Sequence, residues 1–95
     1  MLKGLMVKMP SVYNKYHGNV PAGSVYIGRP SKWGNPFEIG VDGTREEVIA
    51  KYRDKILSNS TLLMLAKSEL KGLNLVCFCA PKPCHGDILL EIANV

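Results

Sequence analysis

The sequence predicts a small single-domain α/β layered fold, Rossmann-like, with a short central sheet and about three helices. The first observation is length, because 95 residues leave room for one hydrophobic core, and no shift in composition divides residues 1–95 into two domains. The second is the order of patterns along the chain: two strand-like segments, a long loop, two helices, a third strand and a third helix. Such an order is typical of a parallel sheet whose strands are joined by helical crossovers.

Three short strands are predicted. Residues 2–9 form a weakly patterned candidate strand that stops before Pro10, and residues 13–19 are predicted to form a loop. Residues 24–27 form the second strand, which ends at Gly28. Residues 73–79 are apolar on both alternating faces except at Asn74, which indicates a strand near the centre of the sheet.

The helices are predicted from capping residues and apolar periodicity. Thr44 and Glu47 form a capping-box pattern at the start of the first helix. Its apolar stripe consists of Val48, Ile49, Tyr52, Ile56 and Leu57. Residues 58–60 interrupt the pattern, and a shorter helix marked by Leu62, Leu63, Ala66 and Leu70 ends at Gly72. Residues 88–93 predict the third helix.

Composition restricts the class of protein and of partner. Twelve Lys and Arg residues against eight Asp and Glu residues give a net charge of +4, which favours an anionic partner: nucleotide, nucleic acid or acidic protein. Three cysteines without a secretory signal indicate free thiols or metal ligands in a reducing compartment, so a cytoplasmic protein is expected. No apolar run approaches the ~20 residues of a membrane span, so no membrane partner is expected. The composition leaves open whether the protein forms a homo-oligomer.

Residues 28–37 form the first candidate functional segment, on irregular backbone that leaves a strand. Gly28 and Gly34 allow a ligand to approach the backbone closely, while Arg29 and Lys32 offer cations and Trp33 a face for stacking. This chemistry suits a phosphorylated, planar ligand. In the alternative interpretation, Trp33, Pro36 and Phe37 pin the loop onto the core and the two cations are merely solvated.

Residues 77–87 form the second segment, which holds all three cysteines. Alternation predicts that Cys77 and Cys79 share one strand face. One interpretation is a zinc site of Cys77, Cys79, Cys84 and His85, although this spacing fits tetrahedral coordination poorly and we expect no stoichiometric zinc and no cofactor. A second makes Cys84 a nucleophile with His85 or His17 as its base. In the third, which we favour, the cysteines pack and the amides of residues 84–87 open a helix towards a ligand.

The two segments, together with residues 43–47, resemble the family catalogued as domain of unknown function 4326, whose members are short proteins of bacteriophages and bacteria. The resemblance covers the chain from Val25 onward. It departs at Phe78, where the family often has tryptophan, and the exchange keeps an aromatic ring. The resemblance implies a compact α/β domain in a phage or bacterial cytoplasm, and it supplies no activity.

We therefore expect the two segments to lie side by side at one edge of the sheet and to bind a nucleotide or nucleotide-derived small molecule. In a phage protein this binding would sequester a host signal in the host cytoplasm. The predicted ligand-binding residues are Tyr26, Gly28, Arg29, Ser31, Lys32, Trp33, Asn35, Cys84, His85, Gly86 and Asp87. Asp87 has a helix cap as its alternative role. Two other classes stay open: a small enzyme on nucleotides, either an N-glycosidase or a Cys-dependent transferase, and a zinc-supported adaptor for nucleic acid or protein.

Overall fold

A parallel sheet of three short strands lies at the centre of the computed structural model, which describes residues 10–95. The strands are β1 (Val12–Asn14), β2 (Val25–Tyr26) and β3 (Leu75–Cys77), in the spatial order β1-β3-β2. Leu75 lies opposite Val12 on one side and Val25 on the other. Every residue of β3 is buried, as expected of a central strand covered on both faces.

The first strand is not where the sequence pattern placed it. The predicted strand at residues 2–9 lies outside the described residues, and the predicted loop at residues 13–19 is wrong at its start. Residues 12–14 pair with β3, and a 3₁₀ turn (Lys15–His17) follows. Three residues are too few to show alternation, so this strand depends on pairing with a partner more than sixty positions away along the chain.

The described residues form three helices: α1 (Arg45–Leu57), α2 (Ser60–Glu69) and α3 (His85–Ala93). The predicted capping box of α1 is present, with the Thr44 hydroxyl accepting from the Glu47 N–H and the Glu47 carboxylate accepting from the Thr44 N–H. The predicted stripe buries Val48, Tyr52 and Ile56. Leu57, at the end of the helix, is 49% exposed and does not join it.

The core lies where α3 meets the sheet and the other helices. Helix α3 packs against β1 and β3 and also against α1 and α2. Ile27, Tyr52, Ile56, Leu75 and Leu89 are among the most completely buried side chains of the core. The predicted α/β fold with a short central sheet and three helices is therefore confirmed. No helix within residues 10–95 is long and apolar enough to cross a bilayer.

Candidate ligand-binding site at the carboxyl edge of the sheet

A pocket of about 280 Å³ opens at the edge where the three parallel strands end. Ligand sites of open α/β sheets gather at this edge because the loops that follow neighbouring strands converge there. The walls come from the end of β2 and its following loop, from α1, and from the segment that joins β3 to α3. The lining residues are Tyr26, Gly28, Arg29, Asn35, Phe37, Ile39, Arg45, Val48, Ile49, Cys77, Phe78, Cys79, Pro83, Cys84 and His85.

The start of α3 lies directly against the end of β2. The His85 imidazole Nε2 is 2.8 Å from the Ile27 carbonyl oxygen. Gly86 allows this approach, since a Cβ there would lie 2.9 Å from Ile27 Cδ1 and 2.9 Å from Val12 Cγ2. The two sequence segments singled out above are thus neighbours in space.

His85 is held as a neutral ring. Burial lowers the pKa of its imidazole, because the charged form loses its hydration. A carbonyl oxygen can only accept, so Nε2 carries the proton and donates to Ile27. The lone pair then resides on Nδ1, which leaves His85 one acceptor for a ligand donor in the pocket that it lines.

Two guanidinium groups face the pocket. Arg29 donates from Nε to the Asn35 carbonyl oxygen at 2.8 Å, which fixes its side chain across the loop. Arg29 Nη1 also forms an exposed ion pair with Glu38 Oε2 at 3.9 Å. Arg45 donates from Nη1 to the Pro83 carbonyl oxygen at 3.0 Å. Among the described residues that line the pocket, none carries a carboxylate, so an anionic ligand is favoured.

The aromatic side chains of the site are Tyr26, Phe37 and Phe78. The rings of Tyr26 and Phe78 meet edge to face with centroids 5.8 Å apart. Asn14 Nδ2 donates to the carbonyl oxygens of Phe78 and Ala80, at 3.0 and 2.9 Å. The segment after β3 is thereby pinned to the end of β1, and Phe78 is left 42% exposed.

Three predicted ligand residues of the loop lie outside the pocket. Trp33 is 3% exposed and belongs to the core, so its indole offers no free face and the stacking role predicted for it is wrong. Its carbonyl oxygen accepts from the Tyr52 hydroxyl at 2.8 Å, which anchors the loop to α1. Lys32 pairs with Glu69 at 2.7 Å, and the Ser31 hydroxyl donates to the Gly28 carbonyl oxygen.

Three others have structural tasks. Asn35 lines the pocket, but its amide donates to the Val48 carbonyl oxygen and accepts from the Phe37 N–H. Asp87 accepts from the Cys84 N–H at 3.0 Å, which is the capping role named as its alternative. Gly86 is buried against Ile27 and Val12 and does not line the pocket. Tyr26, Gly28, Arg29, Cys84 and His85 are the other predicted residues that line the pocket, and of these Arg29 and His85 keep polar side-chain atoms for a ligand.

The thiols form the floor. Cys77 Sγ and Cys84 Sγ are 3.4 Å apart, and the strand ends at Cys77, so the prediction that Cys79 shares its strand face is wrong. The chain turns instead, and the Cys79 N–H points back to Cys77 Sγ at 3.4 Å. The Cys84 thiol, with the N–H groups of Cys79 and Ala80, lowers the pKa of Cys77. Cys77 in turn raises the pKa of Cys84, and burial adds to the effect.

These contacts change the two chemical interpretations of the segment. Cys77 is the thiol stabilised as a thiolate, whereas the sequence interpretation gave that role to Cys84. His17, the alternative base, does not line this pocket. Within residues 10–95, no group of three or more His, Cys, Asp or Glu side chains is arranged to hold a metal ion. The expected absence of stoichiometric zinc stays a prediction.

Sequence reasoning missed Arg45, Phe37, Phe78 and Ile39 as lining residues. Arg45 and Ile39 gave no signal, since each is one charged or apolar residue among many. Phe78 stood next to two cysteines in the segment already singled out, and the end of the strand could have placed it at the mouth of the site.

Comparisons with known proteins agree with the resemblance noted in the sequence. Residues 12–95 match the model of a family described as "Domain of unknown function (DUF4326)". The chain is also similar to a protein of Enterobacteria phage T4, described as "Uncharacterized 12.4 kDa protein in nrdA-td intergenic region". The two are 37% identical over 87 residues, which cover 87% of this chain and 76% of that protein. No solved structure matches the chain.

Proposed function

The chain belongs to the family of domain of unknown function DUF4326, and we propose that it binds a nucleotide or nucleotide-derived small molecule in the pocket at the carboxyl edge of its sheet. One observation carries the proposal: two guanidinium groups and three aromatic rings line that pocket, and no carboxylate among the described residues does. A nucleotide presents the complementary chemistry, an anionic phosphate beside a planar base.

Each group has a role that its contacts allow. Arg29 and Arg45 keep free N–H donors beyond the one that each gives to a carbonyl oxygen, so both can bind phosphate oxygens. Tyr26, Phe37 and Phe78 offer rings for the base, a contact worth about 1–3 kcal/mol per stacked base. His85 Nδ1 accepts from a ribose hydroxyl or an exocyclic amine.

The biological form of the proposal is sequestration. A relative is a phage protein, and a small domain that holds a nucleotide-derived signal of the host cytoplasm without altering it would act by its concentration alone. Nucleic acid as the partner is less favoured, because Arg29 and Arg45 are the only Lys or Arg side chains among the described residues that line this pocket, whereas a nucleic-acid site presents an extended basic stripe.

The thiol floor favours one alternative, an enzyme that uses Cys77 as its nucleophile. Its thiol lines the pocket and receives hydrogen bonds that stabilise the thiolate. A thiolate at the floor of a ligand pocket is the arrangement that covalent catalysis requires. The alternative differs from sequestration in its product, because an enzyme returns an altered ligand.

Substitution of Arg29 tests the binding proposal. Arg29→Ala should weaken binding of a 5′-mononucleotide by about 1.5–3 kcal/mol, roughly tenfold to a hundredfold, through loss of a charge-assisted hydrogen bond. Isothermal titration calorimetry measures the affinity. Lys32→Ala is the matched control, since it removes the same charge from the same loop but from outside the pocket. Equal losses of affinity in the two variants would show that the effect comes from the net charge of the protein and not from a contact in the pocket.

The fate of the ligand separates binding from turnover. After incubation and denaturation, chromatography should recover the nucleotide unchanged from the native protein and from Cys77→Ser alike. A product that forms with the native protein and not with Cys77→Ser would show that the protein is an enzyme and does not act by sequestration. If no 5′-mononucleotide or short derivative binds at millimolar concentration, the proposed function is wrong.

A further inference from the structure

A second pocket, of about 290 Å³, adjoins the first at the same edge of the sheet. It lies over the segment that joins β3 to α3, and His17 and Lys82 contribute to its walls. Arg45, Phe78 and Cys79 line both pockets. The two pockets therefore share a wall and form neighbouring compartments of one surface.

The size of each compartment bears on the ligand. Sites for small organic ligands have volumes of about 300–1,000 Å³. Each pocket alone lies just below that range, at about 280 Å³ and about 290 Å³, and the two adjoining pockets lie within it. A ligand that spans both compartments therefore matches that range better than one confined to either.

The second compartment has the same electrostatic character as the first. His17, Arg45 and Lys82 line it, and among its described lining residues none is acidic. Lys82 forms no salt bridge with any residue in 10–95, so its ammonium group is free for an anion. Arg45 gives one N–H to the Pro83 carbonyl oxygen and keeps four donors at the boundary between the compartments.

Phe78 is the aromatic residue that the described linings of the two compartments share. The ring of Phe78 stands in the shared wall and contacts Tyr26 on the side of the first compartment. Its other neighbour is Tyr16, with ring centroids 4.9 Å apart, and Tyr16 is 80% exposed. A planar group in either compartment can therefore contact Phe78 beside a cation, Arg45, that faces both compartments.

We propose that the ligand is a dinucleotide, with one nucleoside in each compartment and the linking phosphate bound by Arg45. The proposal rests on the proposed function and specifies its ligand class. Phe78 separates the two bases, and Lys82 binds the second phosphate or ribose. Each nucleoside that gains a stacking partner and a cation adds to the affinity of the whole molecule.

Calorimetric titrations at one fixed, low salt concentration test the proposal. The probes are the 5′-mononucleotides and the linear 5′-phosphorylated dinucleotides made from them. We expect the best dinucleotide to bind about tenfold to a hundredfold more tightly than its own mononucleotides. Lys82→Ala should lower dinucleotide affinity about tenfold and mononucleotide affinity by a smaller factor, because a mononucleotide can also bind in the first compartment, which Lys82 does not line. Lys67→Ala, which removes an exposed cation of α2 away from both pockets, should change neither.

The outcomes are distinguishable. Mononucleotides and dinucleotides of equal affinity, or a Lys82→Ala variant that weakens both equally, would overturn the two-compartment ligand and leave the proposed function standing. If a longer single-stranded oligonucleotide binds still more tightly, the ligand is a nucleic acid and not a dinucleotide. If neither probe binds, the proposed function itself fails.

Discussion

Arg45 occupies a position that a helix alone would not select. It is the first residue of α1, where the helix dipole favours anions and a cation costs about 0.3–1 kcal/mol. Its guanidinium reaches the Pro83 carbonyl oxygen, 38 positions along the chain, and lines both compartments. The hydrogen bond to Pro83 ties α1 to the segment before α3, and the remaining N–H donors of Arg45 are those that the proposed ligand would use.

At the level of single residues, Cys77 should be the most reactive thiol. Hydrogen bonds from the Cys84 thiol and from backbone N–H groups lower its pKa, so its thiolate persists well below the ordinary thiol pKa of about 8.5. We expect iodoacetamide to alkylate Cys77 at a rate that stays high from pH 8 to neutral and falls only as the pH passes below the lowered pKa. Peptide mapping by mass spectrometry at each pH measures this rate.

Cys79 provides the internal comparison. Cys79 is more exposed than Cys77. If the Cys77 thiolate were not stabilised, the greater exposure of Cys79 would make it react first. Faster alkylation of Cys79 at neutral pH, or a Cys77 rate that rises throughout from neutral pH to pH 9, would contradict the assignment. The Cys79→Ser variant should leave the profile of Cys77 unchanged.

At the level of elements, the start of α3 depends on a missing side chain. Gly86→Ala should destabilise the protein by about 1–2 kcal/mol, because its Cβ would lie 2.9 Å from side-chain atoms of Ile27 and Val12 in the core. Intrinsic helix propensity acts in the opposite direction, since alanine is favoured over glycine by about 1 kcal/mol. Urea unfolding followed by circular dichroism decides which effect is larger.

Ser68→Ala is the comparison for propensity alone, since Ser68 is exposed on α2 and its substitution should change stability by about 0.5 kcal/mol or less. A Gly86→Ala protein as stable as the parent would show that α3 can move away from the strands at little cost. The pocket would then be less rigid than the packing of His85 on Ile27 implies.

The elements that the sequence predicted well are those whose signals are local. The Thr44–Glu47 box spans four residues, and the burial of Val48 and Tyr52 follows from helical spacing. Strand β1 has no comparable signal, because its three residues are fixed by hydrogen bonds to β3. The stacking role predicted for Trp33 was wrong for a related reason. A tryptophan in a loop suits ligand stacking or core packing equally until the position of α1 is known.

The candidate site was predictable at the scale of segments. Residues 28–37 and 77–87 converge because both follow strands of one parallel sheet, and this rule needs no detail. The roles of single residues were harder. Asp87 and Asn35 carry groups that suit a ligand equally well, and only their contacts with Cys84 and Phe37 show that those groups are already engaged.

At the level of the whole molecule, β3 joins every part of the sheet. Among the described residues, β1 and β2 each pair with β3 and not with one another. The Val25 and Ile27 N–H groups donate to carbonyl oxygens of Asn74 and Val76, and the Leu75 N–H donates to that of Ser11. We expect these three amides to exchange through a single global opening, with equal free energies in native-state hydrogen exchange.

Nuclear magnetic resonance at increasing denaturant measures those free energies. A Val25 or Ile27 amide that exchanges through a much cheaper opening than Leu75 would show that β2 detaches by itself. The sheet would then not be one cooperative unit.

The same topology orders events during synthesis of the chain. Both outer strands leave the ribosome before their shared partner, which is made some fifty residues after β2. Until that partner arrives, β1 and β2 have nothing to pair with in the described part of the chain, and the two segments that line the pocket have no common edge. A nascent polypeptide that ends before Leu75 therefore lacks the sheet edge at which the pocket lies, and the pocket forms late, in one step, together with the sheet.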